Sequence, residues 1–429
     1  MIKKFFAVLL AVTAIVAQAG VKIEHWTAPS GARVYFVESH ELPILDVQVD
    51  FVAGAALDPS NKAGLAGMTR GLLDAGTSDL DEEQIAGRLV DLGAIISGSG
   101  DFDRSGLNLR TLSSKTEKEG ALDLLQLLLT KPTFPAAVLT REKAQAIAAL
   151  QQADTQPESI AAKRFAAAIY PDHPYGASPT AESVMAISRD DLVAFHQKNY
   201  SAGRAVVSIM GDVSRSEAGA IAQRLTEYLP VGEAAAAVPE VKLPQRETIK
   251  IPHPAAQSHI LIGAPAVKRG DPDYFALLVG NYSLGGGGFV SRLMNEVREK
   301  RGYAYDVHSY FAPRKLEGPF EIGLQTKRSQ TNAALKVVES TVSGFLKTGP
   351  TENELKAAKQ NLVDGLALRI DSNAKILGYL SAIGFYGLPL DYLDTFPAKV
   401  NAVTTAQVRD AFARHVQLEH LVTVIVAGE

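Results

Sequence analysis

Arg298 and Tyr305 offer a guanidinium and a phenol hydroxyl, two donors able to grip a peptide carbonyl and to bind it harder as it becomes an oxyanion. Seven residues separate them, and Gly302 lies between as a turn before the β-rich run Tyr303 to Tyr310. Taken alone, the pair has a plainer reading: a surface arginine paired with Glu296 or Glu299, and a packing tyrosine. Tyr303 is a second phenol if the strand register differs. Metal chemistry has fewer candidates. With no Cys there is no thiolate ligand, no cysteine nucleophile and no disulfide framework, so any ion would need His and carboxylates. The nine histidines are His25, His40, His173, His196, His253, His259, His308, His415 and His420. No two stand three or four residues apart, the spacing that puts two imidazoles on one helix face. Each is read as an ordinary surface or core residue, although spacing does not test a site assembled from distant residues. Gly285 to Gly288 open a possible phosphate-binding turn, but Phe289-Val290-Ser291-Arg292 follows where a P-loop needs Lys-Ser/Thr. Arg314-Lys315 and Lys327-Arg328 read as solvated surface.

The elements that must position these groups follow a grammar used twice. Ala32 to Val37 and Leu45 to Val52 are β-rich, and Asp58-Pro59 ends the second with turn chemistry. Apolar residues recur at helical spacing over Gly64–Leu73, Ile85–Leu92, Ala121–Leu129 and Arg141–Gln152. Ala186-Ile187-Ser188 then leads an amphipathic stretch into the strand Ala205 to Met210, closed by Gly211-Asp212. About 216 residues later Ala402-Val403-Thr404 leads another into Leu421 to Val426, closed by Ala427-Gly428-Glu429. Ser188 and Thr404 both stand where a helix N-cap belongs. Between the repeats, Leu229 to Thr248 holds Pro230, Gly232, Ala234 to Ala237, Pro239 and Pro244, the composition of a linker; a long surface loop is the alternative. The expected organisation is two α+β halves, residues 20–229 and 249–429, joined by 230–248.

The chain has 429 residues, 46% hydrophobic and 21% charged, enough for two or three domains with proper cores and too apolar for disorder. Lys3 and Lys4 precede the apolar run Phe5 to Val16, and Ala17-Gln18-Ala19 supplies a small-residue cut site. That pattern predicts a signal peptide over 1–19, cleaved after Ala19, because a run of 12 residues is shorter than the roughly 20 a bilayer span needs. No later stretch reads as a span, so a periplasmic protein is expected. The net charge of -4 becomes -6 once Lys3 and Lys4 leave (41 against 47), which argues against a duplex-nucleic-acid footprint.

Several motifs, in order and spacing, carry a resemblance over nearly the whole mature chain. They are Gly64-Leu65-Ala66 with Gly76-Thr77, His173-Pro174-Tyr175-Gly176, Asn199-Tyr200 before Gly211-Asp212, Ser291-Arg292-Leu293, and Arg298-Glu299-Lys300-Arg301-Gly302-Tyr303-Ala304-Tyr305. Together these resemble the pitrilysin/insulinase family, in its two-domain branch that includes mitochondrial processing peptidase. The resemblance implies two similar α+β halves, each an antiparallel sheet with helices on one face, closing like a clamshell around a peptide. Active members carry H-x-x-E-H on the first-half helix, two His for Zn²⁺ and a Glu as base. This chain reads Gly67-Met68-Thr69-Arg70-Gly71 there. Glycine has no ligand atom, and Arg70 is a permanent cation that takes no proton and repels a metal. The family's third ligand, a Glu about 77 residues on, falls at Ala148-Ala149, with Ala149 the matching position.

What the resemblance keeps is the second half. There Arg298 and Tyr305 would reach across the clamshell to the substrate backbone, and Gly285, Gly286, Gly287 and Gly288 would form a closely approached loop lining the chamber. The implied protein has no cofactor of its own and is inactive alone. It pairs as a heterodimer with a homologous H-x-x-E-H subunit holding the zinc, and cuts peptides. A scaffold or peptide-binding protein that has lost catalysis is the alternative, and an independent peptidase with an unusual metal is a third reading.

Overall fold

The computed structural model describes residues 21–427 apart from Val231 and 233–235. The expected signal segment, much of the expected linker's first part and the final Gly428-Glu429 therefore lie outside the described residues. Six strands form the first sheet: β1 (Glu24–Thr27), β2 (Arg33–Glu38), β3 (Ile44–Phe51), β4 (Ile95–Gly100), β5 (Ser105–Leu112) and β6 (Ala205–Gly211), in the order β1-β2-β6-β3-β5-β4. Five form the second: β7 (Glu247–Ile251), β8 (Gln257–Val267), β9 (Ala304–Phe311), β10 (Gly318–Lys327) and β11 (Val422–Val426), in the order β7-β11-β8-β10-β9. Leaving β1 aside, the two wirings are the same, so β9 is the counterpart of β4 and each is an outer edge.

Helices fill the connections in matching places. The first half carries α1 (Leu65–Gly71), α2 (Glu82–Asp91), α3 (Lys115–Thr130), α4 (Ala136–Ala153), α5 (Pro157–Ile169), α6 (Ala181–Ala186), α7 (Arg189–Asn199) and α8 (Arg215–Thr226). The second carries α9 (Tyr274–Asn281), α10 (Thr331–Thr348), α11 (Glu352–Asp364), α12 (Leu366–Arg369), α13 (Asn373–Tyr386), α14 (Tyr392–Ala402) and α15 (Thr405–His415). Ser188 and Thr404 cap α7 and α15, each accepting from the backbone N–H three residues on and each completing a capping box, with Asp191 and with Gln407.

Two details depart from the expected antiparallel sheets with helices on one face. β2 runs parallel to β6, and β7 parallel to β11, because the last strand of each half returns beside the first. The second face of each sheet is also covered, by a helix from the other half: α5 lies on β8 and β11, and α13 on β2, β3 and β6. β11 accordingly turns Val422, Val424 and Val426 toward Phe165 and Ile169 of α5, and Ile425 toward the core of its own half. β6 likewise divides Val207 and Ile209 from Val206 and Met210. Burial on both faces is why these strands read as near-continuous apolar runs rather than alternating ones.

Polar contacts fasten the halves. Asp50, fully buried on β3, accepts from Ser381 Oγ of α13 at 2.6 Å and from Gln48 Nε2 at 2.8 Å, with Arg104 Nη1 at 3.3 Å. Asp103 accepts from Tyr386 at 3.0 Å, from the Lys315 backbone N–H at 2.8 Å and from the Tyr175 hydroxyl. The Arg314 guanidinium lies over Phe102 at 4.1 Å and Tyr175 at 4.8 Å.

Candidate active site

α1 is a short helix whose start is fixed by a carboxylate. Asp58 accepts from the backbone N–H groups of Gly64 and Ala66, both at 2.8 Å, while Gly64 turns the chain with φ 104°. Burial pushes the Asp58 carboxyl up to about 6, against the pull of those N–H groups. Gly67 and Gly71 are exposed, and a side chain at either would extend into open space. Arg70 lies instead across the edge strand: a methyl group added at Gly98 would come within 3.1 Å of the Arg70 Cδ, and one at Gly100 within 3.2 Å of its Nη1. The helix thus presents two bare positions and a guanidinium laid on β4. Ala149 is an exposed residue of α4 with no donor atom. This donor set does not fit a zinc ion, because a d¹⁰ cation needs lone pairs and here meets none and a positive charge.

Among the described residues, one group of His, Asp or Glu side chains is close enough to share an ion: Asp271 and Asp273 just before α9, with His415 at the end of α15. Asp273 is already bound by Arg414 through two contacts of 2.8 Å, and His415 Nδ1 by the Ala266 carbonyl at 2.8 Å.

Arg298 and Tyr305 are brought together. Arg298 sits in the π-helical turn Met294–Glu299, Gly302 reverses the chain with φ 62°, and β9 starts at Ala304. The β9–β10 register then slips. Val307 opposes Leu324 but Ala304 opposes Thr326, so Tyr305 and Asp306 share one partner residue, Gln325. This β-bulge turns both side chains outward while Ala304 and Val307 on either side are buried. Tyr305 is 82% exposed. It lines, with Asp306, His308 and Glu321 and with Glu158 and Ala161 of α5, a cavity of about 260 Å³ between the halves. Burial raises Glu321 above the usual carboxylate range and lowers His259 on the same wall. Tyr303, the other candidate phenol, packs against the second core. Glu296 is taken by Lys300 at 2.6 Å and Arg301 at 2.7 Å, which hold its carboxyl below the ordinary value. Among the described residues Arg298 has one carboxylate partner, Glu299, 3.5 Å from Nε. Its Cζ lies 4.7 Å from the Tyr305 ring centre and 4.7 Å from that of Phe289.

The glycine run is a backbone device. Of the four glycines expected among the substrate contacts, Gly285 is buried against Ser309 of β9, where a methyl group would meet Ser309 Oγ at 2.3 Å, Gly287 is half-buried, and Gly286 and Gly288 are exposed. Asn281 and Ser309 lock this packing with bonds of 2.9 and 2.6 Å. Gly288 has φ 59° and leads to Phe289 and Val290, 65% and 67% exposed. Sequence reasoning missed Phe289. Its signal was an apolar pair directly after four glycines, read only as the absence of Lys-Ser/Thr.

With this geometry in view, the chain is similar to a solved peptidase M16 inactive domain from Pseudomonas fluorescens, 38% identical, TM-score 0.92, covering 95% of this chain and 98% of that one. The chain belongs to peptidase family M16. The insulinase (M16) model matches residues 33–181 and the model described as the peptidase M16 inactive domain matches 186–362. A Helicobacter pylori protein named a non-peptidase homolog, YmxG, is 27% identical over 100% of this chain and 99% of its own. A protease structure from Helicobacter pylori, 19% identical with TM-score 0.86 over 94% of this chain, shares the fold. As an M16 chain, this protein retains both halves of the architecture, and Gly67 and Gly71 of α1 and Ala149 of α4, the positions the resemblance assigns to zinc, carry no ligand side chain.

Proposed function

We propose that this chain is the non-zinc subunit of a heterodimeric metallopeptidase, paired with a homologous subunit that carries H-x-x-E-H. The observation that supports this reading most is an asymmetry: α1 offers no ligand, while the bulge in β9 directs Tyr305, with Arg298 stacked on it, into the space between the halves. The partner's Zn²⁺ would supply the activated water. This chain's part is to hold the peptide. Arg298 and Tyr305 donate to the scissile or adjacent carbonyl and bind it more strongly as negative charge gathers there, while Gly286 and Gly288 let the substrate backbone approach. The proposal includes residues 20–229 and 249–429 as the two halves, with 230–248 as linker, and export to the periplasm with cleavage after Ala19. No helix among the described residues is long and apolar enough to cross a membrane.

A second reading has its own observation. Among the described residues β4 and β9 are both outer edges without a further strand, and an extended peptide can add to such an edge without being cut. On that reading the protein is a binding or scaffold member of the family. Mixing purified subunits separates the two. The heterodimer reading expects no cleavage of an unfolded peptide by either subunit alone, cleavage by the mixture, and zinc only in the partner. A mixture that binds peptide and leaves it intact favours the scaffold, and stoichiometric zinc in this chain alone contradicts both.

A further inference from the structure

We propose that Phe289 is a positioning residue for Arg298, holding the guanidinium flat so that its donor edge faces the peptide beside the Tyr305 hydroxyl; this rests on the role proposed above for the pair. Phe289 is 65% exposed and belongs to none of the three buried cores, so core packing does not account for it. Its loop is nevertheless held. The Gly287 N–H bonds the Tyr282 carbonyl at 2.9 Å, the Ser291 N–H bonds the Gly288 carbonyl at 3.0 Å, and Gly288 supplies the positive φ between them.

What that loop presents is a ring face. The Arg298 Cζ stands 4.7 Å from the Phe289 centroid, the same as from the Tyr305 centroid. A guanidinium packed face-on against rings keeps its N–H donors free around its edge. Among the described residues nothing else orients it strongly. The nearest carboxylate, Glu299, is 3.5 Å from Nε, and Glu296 is occupied by Lys300 and Arg301. Without Phe289 a long side chain at a half-open surface would sample many rotamers, and one donor would be misplaced in most of them.

The test uses the reconstituted two-subunit enzyme. Phe289→Leu is expected to lower kcat about three- to tenfold, the scale of one partly exposed cation–π contact, with KM within about twofold. Phe289→Trp should restore kcat, and melting temperatures should be unchanged. Wild-type kcat in Phe289→Leu, beside a clear loss in Arg298→Ala, would overturn the positioning role. Full turnover by Arg298→Ala would instead remove the reading of the pair on which it rests. A partner-free measurement gives the same decision. In the isolated chain the Arg298 Nε–H resonance should carry a ring-current shift that Phe289→Leu reduces and Phe289→Trp restores; no movement in Phe289→Leu contradicts the proposal.

Discussion

Single residues decide what this molecule is able to do. Gly67 and Gly71 carry no ligand atom and Arg70 carries a permanent cation, so these positions offer none of the lone pairs an ion needs, and Arg70 lies across Gly98 and Gly100 of β4. The Asp58 carboxylate that starts α1 leaves a measurable trace. Its native value of about 6 lies above the ordinary one, so between roughly pH 4 and 6 the folded state holds more proton than the unfolded chain. Stability therefore falls as pH rises through that window and levels off above it. Asp58→Asn should flatten the window in urea denaturation at stepped pH; an unchanged slope would mean the carboxylate titrates normally. At this scale the sequence was informative about absence, since a missing side chain is visible in one letter. It was silent on the bulge at Tyr305, which depends on which residue faces which across β9 and β10, and on Phe289, whose meeting with Arg298 depends on how the turn Gly288–Val290 packs.

At the scale of elements, the caps at Ser188 and Thr404 and the strands ending each half were legible, because capping and β-branched runs are local signals. The crossing of α5 and α13 onto the opposite half's sheet was not. The apolar run of β11 marked a strand, but nothing in it said that one face is covered by Phe165, some 260 positions earlier. That contact carries a testable energy. Phe165→Ala empties space beneath Val422, Val424 and Val426 and is expected to cost about 3–5 kcal/mol in urea unfolding. A loss under about 1 kcal/mol would show that α5 contributes little to the second half. The π-helical turns around the glycine run also escaped a pattern search, since their spacing follows from packing against Ser309 and Asn281.

The whole molecule is two copies of one wiring fastened face to face. The fastening is polar as well as apolar: Asp50 ties β3 to α13 through Ser381, and Asp103 gathers groups from both halves. Truncating Asp50 leaves Arg104 without its buried partner, so Asp50→Ala should lower stability by about 3 kcal/mol or more in chemical denaturation. A change near zero would mean the halves are held by their cores alone. Such fastening suits a rigid wall better than a hinge, and on the heterodimer reading proposed above the metal is supplied by the partner subunit. The account is tested most directly by turnover of an unfolded peptide by the reconstituted pair, with Arg298→Ala or Tyr305→Phe placed in this chain and dimer formation verified by gel filtration. It predicts a fall of about 100-fold for each variant with the dimer intact; full turnover by both would contradict it.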